Sequence, residues 1–564
     1  MTAGSGDVDP QRPQHLFHRV ARSLFLLVLS RPGRTVAMPD RPDFSMIPPA
    51  RIPKLSIPMA SRSAVKLSAT GGPSEGAQVV GVNVAQGGSG KTIVFVENNL
   101  RSTGGHFLDM ARLMAMASHR RGDRVVVATH QNFDQPDHFQ ADCATGPPIE
   151  IHPIFRDPWM AHWSLGVDGR SATQRDHGGR PLSSDASIVS RWRQCRQSIR
   201  DRRAKSARRP DAMLNRWAED LLNTIKHCKI GTNDAIIINT ADDFQMLALA
   251  KACRGFNAAR PLTIHVIFHL AAYLGDRPTR RSIEMGQQVK RSIQDCEPHR
   301  VVVHATTSGL CEQLRRVGVR ANLIAYPMSL AANENRSDHV ESERPIRVAM
   351  AGGLRAEKGT RHLGKLLEDL MRSPSGPGRP TISLQAHPKQ LRRLLPRRLR
   401  RHIVHETDKG SGAETIAGLI PKLRGDASPW IECVRPDLGP TDYHRWIQSS
   451  DVGLFLYDAR RYAVRCSAAL LDMMLLGKPV IVPADTWMAE QVTLGNDDGE
   501  IGLIYEHIDD VPGLIEQLAT RLPLLAHHAR RYAAIVAERH HPDQTVRSFD
   551  ATNVSAGMNS PIAA

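Results

Sequence analysis

Basic, hydroxyl and acidic side chains lie close together in residues 451–483, whose sequence is DVGLFLYDARRYAVRCSAALLDMMLLGKPVIVP. Arg465 precedes Ser467 by two positions, and Asp472 follows five positions later. Guanidinium groups and the first N–H groups of a helix both attract anions. The sequence therefore predicts an anion-binding site at this stretch.

The elements that position these residues can be inferred from the same stretch. Residues 452–457 form a short apolar run bounded by charges, which predicts a buried strand. Ser467 is a typical helix N-cap, Gly477 is a typical helix end, and residues 478–483 return as a second strand. The pattern therefore predicts a βαβ unit whose basic loop lies at the carboxyl end of a strand, where α/β proteins bind anions.

This combination of a strand, Y..R.S, a helix with an acidic residue and GKPVIVP resembles the donor-binding segment of GT-B glycosyltransferases, specifically the large retaining family 4. The resemblance implies that Arg465 and Ser467 help to bind the diphosphate and sugar of a nucleotide sugar. It also implies that Asp472, at the second acidic position of the family's pattern, binds the ribose. Val464 stands at the first acidic position, so the sugar contact that this position supplies in the family is missing here.

A second motif, AGGLRAEKG at residues 351–359, follows a predicted strand. It resembles the G-R-L-x-x-E-K-G motif of the same family, in which arginine and lysine neutralise the leaving diphosphate. The resemblance implies catalytic roles for Lys358 and for Arg355. Arg355 would replace the arginine whose usual position is occupied by Gly353, a residue that the resemblance places at the substrate site. The alternative for Lys358 is a solvent-exposed lysine at the start of a helix.

The first half of the chain also has an α/β pattern. A predicted strand at residues 93–97 is followed by Gly104 and Gly105, and then by an amphipathic helix. Here the resemblance implies a glycine loop that faces the substrate cleft. His269 follows a predicted strand at residues 262–268, and the resemblance implies that it contacts the donor sugar; a packed histidine at a strand end is the alternative.

Residues 85–92, AQGGSGKT, are close to a phosphate-binding P-loop but lack its first glycine. The lysine and threonine of a P-loop must open a helix so that backbone N–H groups can surround a phosphate. Residues 93–97, IVFVE, predict a strand instead. We therefore do not expect this segment to bind ATP or GTP.

Together these patterns predict an α/β protein of GT-B architecture, with two Rossmann-like domains facing each other across a cleft. We expect a disordered extension at residues 1–76, an acceptor domain at 77–328, a linker at 329–345 and a nucleotide-sugar-binding domain at 346–564. Two tail helices, at 511–522 and 525–538, are predicted, and the resemblance implies that the last helix crosses back to the first domain.

The composition of the chain indicates its cellular compartment and the charge of its partners. The chain has 564 residues, a net charge of +17 and eight scattered cysteines without a C-x-x-C pair. This cysteine usage is typical of a reducing cytosol, and neither zinc nor iron–sulfur motifs are present. The apolar run at residues 24–29 resembles a signal-peptide core, but it is too short to span a bilayer and no clear small-residue cleavage site follows it, so we expect a cytoplasmic protein rather than an exported one. The positive charge favours anionic partners without choosing among them.

Residues 389–401 concentrate this charge in KQLRRLLPRRLRR. The segment could bind an anionic membrane or a lipid-linked acceptor at the inner membrane face, or it could be a surface helix with a solvated arginine face. Aromatic residues that would stack on bases are absent from it, which disfavours nucleic acid as a partner.

The resemblance implies a retaining, metal-independent glycosyltransferase that needs no cofactor beyond its nucleotide-diphosphate sugar and transfers the sugar to a saccharide or lipid-linked acceptor. Polysaccharide or glycolipid synthesis is the corresponding expectation. A catalytically silent relative that acts as a binding or scaffold protein is the main alternative, because of Val464 and Gly353. A nucleic-acid-binding protein is the second alternative, because of the net charge.

Overall fold

The computed structural model describes residues 90–101, 106–134, 136–139, 148–158, 210–328, 344–372, 379–405, 430–436 and 438–557. The expected extension at 1–76, the glycines Gly104 and Gly105 and most of the expected linker at 329–345 lie outside the described residues. The predicted domain boundaries therefore stay predictions. Among the described helices, none has the length and apolar character that a bilayer crossing requires.

The first of two parallel sheets is built from apolar runs that are buried on both faces, as the TIVFVE sequence of its first strand illustrates. In chain order its strands are β1 (Thr92–Glu97), β2 (Arg124–His130), β3 (Glu150–Phe155), β4 (Ala235–Ala241), β5 (Thr263–Phe268), β6 (Arg300–Ala305) and β7 (Asn322–Leu323). Their order across the sheet is β3-β2-β1-β4-β5-β6-β7. Because Thr92 begins a strand, Lys91 and Thr92 do not open a P-loop helix.

The second sheet repeats this plan with shorter strands. In chain order they are β8 (Arg347–Met350), β9 (Thr381–Gln385), β10 (Ile403–His405), β11 (Ile431–Val434), β12 (Val452–Leu454), β13 (Val480–Pro483) and β14 (Gly502–Tyr505). Their order is β10-β11-β9-β8-β12-β13-β14, and every pairing is parallel.

Helices connect and cover the strands. In the first half they are α1 (His106–Arg120), α2 (Pro210–Cys228), α3 (Asp243–Cys253), α4 (Arg280–Gln294) and α5 (Ser308–Arg316). In the second half they are α6 (Thr360–Arg372), α7 (Pro388–Leu394), α8 (Arg397–Arg400), α9 (Pro440–Gln448), α10 (Ala459–Tyr462), α11 (Ala468–Leu475), α12 (Trp487–Gly495), α13 (Val511–Arg539) and α14 (Pro542–Gly557).

Each sheet has one point at which its strand order reverses. In the first sheet this point lies between β1 and β4, and in the second it lies between β8 and β12. In doubly wound sheets the two connections diverge to opposite faces at such a point, which leaves a crevice at the carboxyl ends of the strands. The loops after β1, β4, β8 and β12 are therefore the places where a ligand would be expected.

The two halves share a hydrophobic core. One buried cluster includes Phe95 and Ile237 of the first sheet, Phe455 and Leu470 of the second half, and Phe549 of the last helix. α14 packs against α1, so the end of the chain returns to the first half. Asp550 of α14 accepts a hydrogen bond from Lys91 Nζ at 2.7 Å and also pairs with Arg121. Burial of shared apolar surface therefore holds the halves together.

The tail differs from the sequence expectation. In place of two helices at 511–522 and 525–538, the structure has one continuous helix, α13, with Pro523 inside it. Leu518, Leu522, Leu525 and Ala529 continue one buried face through the proline. Packing of this face offsets the hydrogen bond that proline removes, a loss that in an exposed helix would cost about 3 kcal/mol.

The basic segment at 389–401 forms α7 and α8, separated at Pro396. Leu391, Leu395 and Leu399 are buried in the core of the second half, whereas the arginines of the segment are exposed. These three leucines are therefore unavailable for insertion into a membrane. The interpretation as a surface element with a solvated arginine face agrees with this geometry.

Candidate functional site

Lys358 lies in the loop after β8, at the reversal point of the second sheet, and Gly352 makes room for it. A Cβ atom on Gly352 would stand 1.9 Å from Lys358 Nζ, and Gly352 has a φ of +95°, which side chains rarely adopt. The Gly352 amide donates to Gln385 Oε1 at 2.8 Å. The ammonium lies 5.0 Å from the centre of the Tyr457 ring. The AGGLRAEKG loop is thus folded around its own lysine.

The electrostatic surroundings of Lys358 are unfavourable to its charge. Burial lowers its pKa well below the usual range, and the nearby guanidinium groups of Arg355 and Arg465 lower it further, against the opposing effect of Glu357. Buried lysines beside cations release their protons unless an anion is present. A bound anion would therefore favour the charged form of Lys358.

Arg465 and Ser467 approach Lys358 from the loop after β12. The guanidinium carbon of Arg465 lies 5.2 Å from the Tyr462 ring centre, a cation–π arrangement that fixes its direction. Ser467 caps α11, and its side chain accepts from the amide of Leu470 at 3.4 Å, as the sequence predicted. Arg465, Lys358 and the positive end of α11 thus come together beside neighbouring strands.

Tyr457 connects the two loops of this cationic region. Its hydroxyl donates to the carbonyl of Ala351 at 3.3 Å and also hydrogen-bonds with Ser467. Its ring packs against Tyr462, with the centres 4.4 Å apart. The apolar run at 452–457 predicted that Tyr457 would end a strand, without a role at the site, but the strand ends at Leu454.

Asp472 lies in α11 and faces α9. Its Oδ2 accepts a hydrogen bond from the Tyr443 hydroxyl at 3.2 Å. Burial raises its pKa to about 7, Asp109 raises it further, and the bond from Tyr443 opposes the shift. Asp109 belongs to the first turn of α1, so a carboxyl of the first half acts on Asp472 of the second half.

His269 follows β5 in the first sheet and faces the cationic region. Its Nε2 lies 2.6 Å from the carbonyl oxygen of Asn239. A carbonyl can only accept, so Nε2 carries the proton. Burial lowers the pKa of His269 to about 4, the bond to Asn239 raises it, and the charge of Arg465 lowers it. The ring is therefore neutral at physiological pH, and Nδ1 is left as an acceptor.

Arg355 and Gly353 are brought near the same loop with different consequences. The Arg355 side chain is 46% exposed and pairs with Glu357 at 3.3 Å, yet its charge acts on Lys358. Gly353 has a φ of +70° and open space around its Cβ position. A larger residue there would be strained by its backbone conformation rather than by crowding.

Among the residues that the structure describes, no group of three or more histidine, cysteine, aspartate or glutamate side chains is arranged to hold a metal ion. The chemistry that the described residues offer is instead that of fixed cations, a helix end, a neutral histidine and protonatable carboxyls.

Comparison with solved structures identifies the architecture. The trehalose-6-phosphate synthase OtsA superimposes with a TM-score of 0.50 at 10% identity, covering 83% of this chain and 99% of that one. The E. coli trehalose-6-phosphate protein bound with UDP-2-fluoro glucose has a TM-score of 0.50 at 11% identity, and the likeness covers 82% of this chain and 98% of that one. A structure of trehalose-6-phosphate synthase that was studied for enzymatic glycosyltransfer with retention has a TM-score of 0.50 at 11% identity. This likeness covers 82% of this chain and 99% of that one.

This chain has the GT-B fold. The likeness covers both sheets and agrees with the architecture expected from the sequence. No protein-family model matches the chain, and no curated protein matches its sequence.

In the GT-B frame, Val464 serves as a contact between the halves. Its backbone carbonyl accepts from Thr307 Oγ1 at 2.6 Å, and its Cγ1 is 2.8 Å from the Cβ position of Gly309. Thr307 caps α5 of the first half. The position that the resemblance assigns to a sugar-binding acid is thus occupied by an apolar side chain at the seam between the two sheets.

Sequence reasoning missed Glu97, which ends β1 at the reversal point of the first sheet. The residue is fully buried; Asn99 donates to its Oε1 from backbone and side chain, and Thr240 donates to its Oε2 at 2.9 Å. Burial raises its pKa to about 7 against these bonds. A glutamate at the end of an apolar strand, just before a loop, was the available signal.

Proposed function

We propose that this protein transfers a sugar from a nucleotide-diphosphate sugar to an acceptor. The observation that carries the proposal is the convergence of Lys358, Arg465 and the N-terminus of α11 at the reversal point of the second sheet, with His269 of the first sheet facing them. The GT-B fold, which the trehalose-6-phosphate synthases share, supports it.

The proposed chemistry is stabilisation of a departing diphosphate. Negative charge grows on the leaving group as the bond to the sugar breaks, and donors already fixed in place stabilise that charge most effectively. Lys358 and Arg465 supply the positive charge, Arg355 contributes from the rim, and the α11 amides supply hydrogen bonds. These groups perform the task without a cofactor other than the donor itself.

We assign His269 to the donor sugar and Asp472 to the ribose. The neutral His269 ring, oriented by Asn239, can accept a hydrogen bond from a sugar hydroxyl through Nδ1. Asp472 is held by Tyr443 at the side of α11 and can bind a ribose diol. Retention of configuration is proposed by likeness to the synthase that was studied for transfer with retention. The substrate roles of Gly104, Gly105 and Gly353 remain part of this proposal.

The acceptor is proposed to be a saccharide or a lipid-linked sugar, in the service of polysaccharide or glycolipid synthesis. The exposed arginines of α7 and α8 suit a peripheral contact with the anionic inner face of a membrane. Such a contact would be mainly electrostatic, because Leu391, Leu395 and Leu399 are buried and only Leu394, 38% exposed, stands among the arginines at the surface. A cytoplasmic location is part of this proposal.

A silent binding protein is the second candidate, and the packing of Val464 favours it. Val464 is apolar and packs against Thr307 and Gly309 of the first half, so it cannot supply a carboxylate to the sugar. Such a protein would bind the same nucleotide sugars without cleaving them.

The test is a melting-temperature series of the full chain with UDP, GDP, ADP and TDP, followed by assays of sugar release from the matching nucleotide sugars. A ligand that binds only the folded state raises the melting temperature. We expect one nucleotide to do so, and Lys358→Met to abolish the shift. Lys365→Met is the matched control, because Lys365 is an exposed lysine of α6 that pairs with Asp509.

Each outcome separates the candidates. A shift together with sugar turnover supports the transferase, whereas a shift without turnover supports the silent binding protein. No shift with any nucleotide, in protein shown to be folded, would contradict both.

A further inference from the structure

Two buried polar side chains beside His269 are bonded to no protein atom in the part of the chain that the structure describes. Asn239 is fully buried, and neither its amide nitrogen nor its amide oxygen has a hydrogen-bond partner. Tyr326 is 6% exposed, and its hydroxyl has none either. Buried polar groups are nearly always hydrogen-bonded, so two unsatisfied groups at one site require an explanation.

Both residues lie at the carboxyl edge of the first sheet. Asn239 is in β4 beside β1, at the reversal point, and its backbone carbonyl is the group that orients His269. Tyr326 follows β7, and its ring meets the edge of the His269 ring with the centres 5.9 Å apart. Tyr326 thus contacts the His269 ring, and Asn239 bonds to that ring through its backbone, so the three residues form one polar patch at this edge of the sheet.

The backbone around Tyr326 is held by hydrogen bonds from residues near the end of the chain. The tautomer of His540 that donates through Nδ1 bonds to the Tyr326 carbonyl at 2.8 Å, and Thr545 of α14 donates to the neighbouring Ala325 carbonyl at 2.9 Å. Burial raises the pKa of the Tyr326 hydroxyl well above its usual range, with smaller contributions from Cys466, Asp109, Asp472 and Glu97. Asp109 and Glu97 belong to the first half and Asp472 to the second, so acidic groups of both halves act on the hydroxyl.

The chemistry of this patch suits neutral hydroxyl groups. An amide both donates and accepts, a phenol does the same, and together they match the alternating needs of sugar hydroxyls. A phosphate fits the patch poorly, because the nearby Glu97, Asp109 and Asp472 are carboxyls. The cations that would attract a phosphate belong to the second half, around Lys358.

We propose that Tyr326 and Asn239 bind hydroxyl groups of a sugar ring in the cleft and determine which sugar is accepted. This inference rests on the proposed glycosyl transfer. It names residues that can hold the sugar in a chain whose first acidic position is the apolar Val464. The ring belongs either to the donor or to the acceptor, and the two sources share the same hydroxyl chemistry.

The test uses Tyr326→Phe, which removes one unpartnered oxygen and leaves the ring. Calorimetry measures the affinity of wild type and variant for UDP and UDP-glucose, and for the GDP, ADP and TDP pairs where these bind. We expect unchanged affinity for the free nucleotide and about a tenfold loss for the nucleotide sugar, the effect of one hydrogen bond in a closed site. Asn239→Ala is expected to act in the same direction.

Tyr505→Phe is the matched control. The Tyr505 hydroxyl is also buried but donates to the Phe455 carbonyl at 2.9 Å, so its removal should lower the melting temperature and leave sugar affinity unchanged. Tyr326→Phe should show the reverse pattern, since its hydroxyl has no bond to lose. A merely structural role for Tyr326 would not produce this reversal.

The outcomes distinguish a donor sugar from an acceptor sugar, and a failure of this inference from a failure of the proposed function. A loss confined to nucleotide-sugar affinity assigns the patch to the donor sugar. Equal donor affinity with about a tenfold higher KM for glucose, mannose or galactose as acceptor assigns it to the acceptor. If both quantities are unchanged while nucleotides bind, this inference is overturned and the proposed function stands. If no nucleotide sugar binds the wild type, both are overturned.

Discussion

The two reversal points of this molecule have the same topology and opposite chemistry. At the second sheet, Lys358 and Arg465 gather positive charge around the start of α11. At the first sheet, Glu97, Asn239 and His269 present a carboxyl, an amide and a neutral ring. The difference teaches that strand order provides a crevice in each half, whereas side chains decide that one crevice suits phosphate and the other suits hydroxyl groups.

The largest effect is expected from removing the cation of the second crevice. Lys358→Met should lower kcat by about 10²- to 10³-fold, the usual cost of deleting one fixed donor to a developing charge. Gly352→Ala should act in the same direction, because its Cβ would occupy the place of Lys358 Nζ. The kcat of both variants is measured by steady-state kinetics, with the nucleotide sugar whose nucleotide raises the melting temperature as the substrate. Activity of Lys358→Met close to that of wild type would remove Lys358 from the mechanism.

The carboxyl of the first crevice should affect stability. The pKa of Glu97 is about 7 when folded, above its ordinary 4.5, so its contribution to stability is complete below pH 4.5 and is lost as the pH rises through 7. Glu97→Gln does not titrate and should be more stable than wild type at pH 8, by about 3 kcal/mol, and equal to it near pH 4.5.

Melting temperatures across this pH range measure the effect of Glu97→Gln, with Glu506→Gln, at an exposed glutamate, as the control. Parallel curves for Glu97→Gln and wild type would show that the Glu97 carboxyl does not titrate in this window.

A smaller effect should link the charge of Lys358 to nucleotide binding. Because the pKa of Lys358 lies well below its usual range in the free protein, and a diphosphate raises it, binding should take up a proton. Nucleotide affinity should therefore tighten as the pH falls, by at most about tenfold per pH unit. Calorimetry in buffers of different ionisation enthalpy counts the protons. The uptake should be absent from Lys358→Met, and an equal uptake there would assign it to another group.

The smallest effect concerns the seam between the crevices. Thr307→Val removes both the bond to the Val464 carbonyl and the cap of α5, and should cost about 1 to 2 kcal/mol of stability. Thr307→Ser retains the hydroxyl and is the matched control. Thermal melting compares the two, and equal melting temperatures would show that the hydroxyl contributes nothing.

Local patterns in the sequence account for the second crevice. Ser467 as a helix cap and the loop of Lys358 were both predicted, because each depends on residues within a few positions of one another. The parallel sheets followed from alternating apolar runs and helices. This part of the site could therefore be predicted before any contact between distant residues was known.

The first crevice could not be predicted in the same way. Glu97, Asn239 and Tyr326 belong to β1, to β4 and to the segment after β7, so they reach one edge only after the sheet from β1 to β7 is assembled and the tail is packed behind it. Their burial arises from tertiary packing, and no local spacing indicates it. The continuous helix α13 was missed for a related reason, since the buried face that sustains it through Pro523 depends on its neighbours.

The return of the chain to the first half also fixes the segment that carries Tyr326. Met328, the last described residue before the expected linker, donates its amide to the carbonyl of His540 at 3.0 Å, and His540 lies where α13 gives way to α14. The outgoing and returning segments are therefore fastened to each other at one place. Tyr326 lies two residues before this joint and is itself bonded through its carbonyl to His540, so the residue is anchored to both segments.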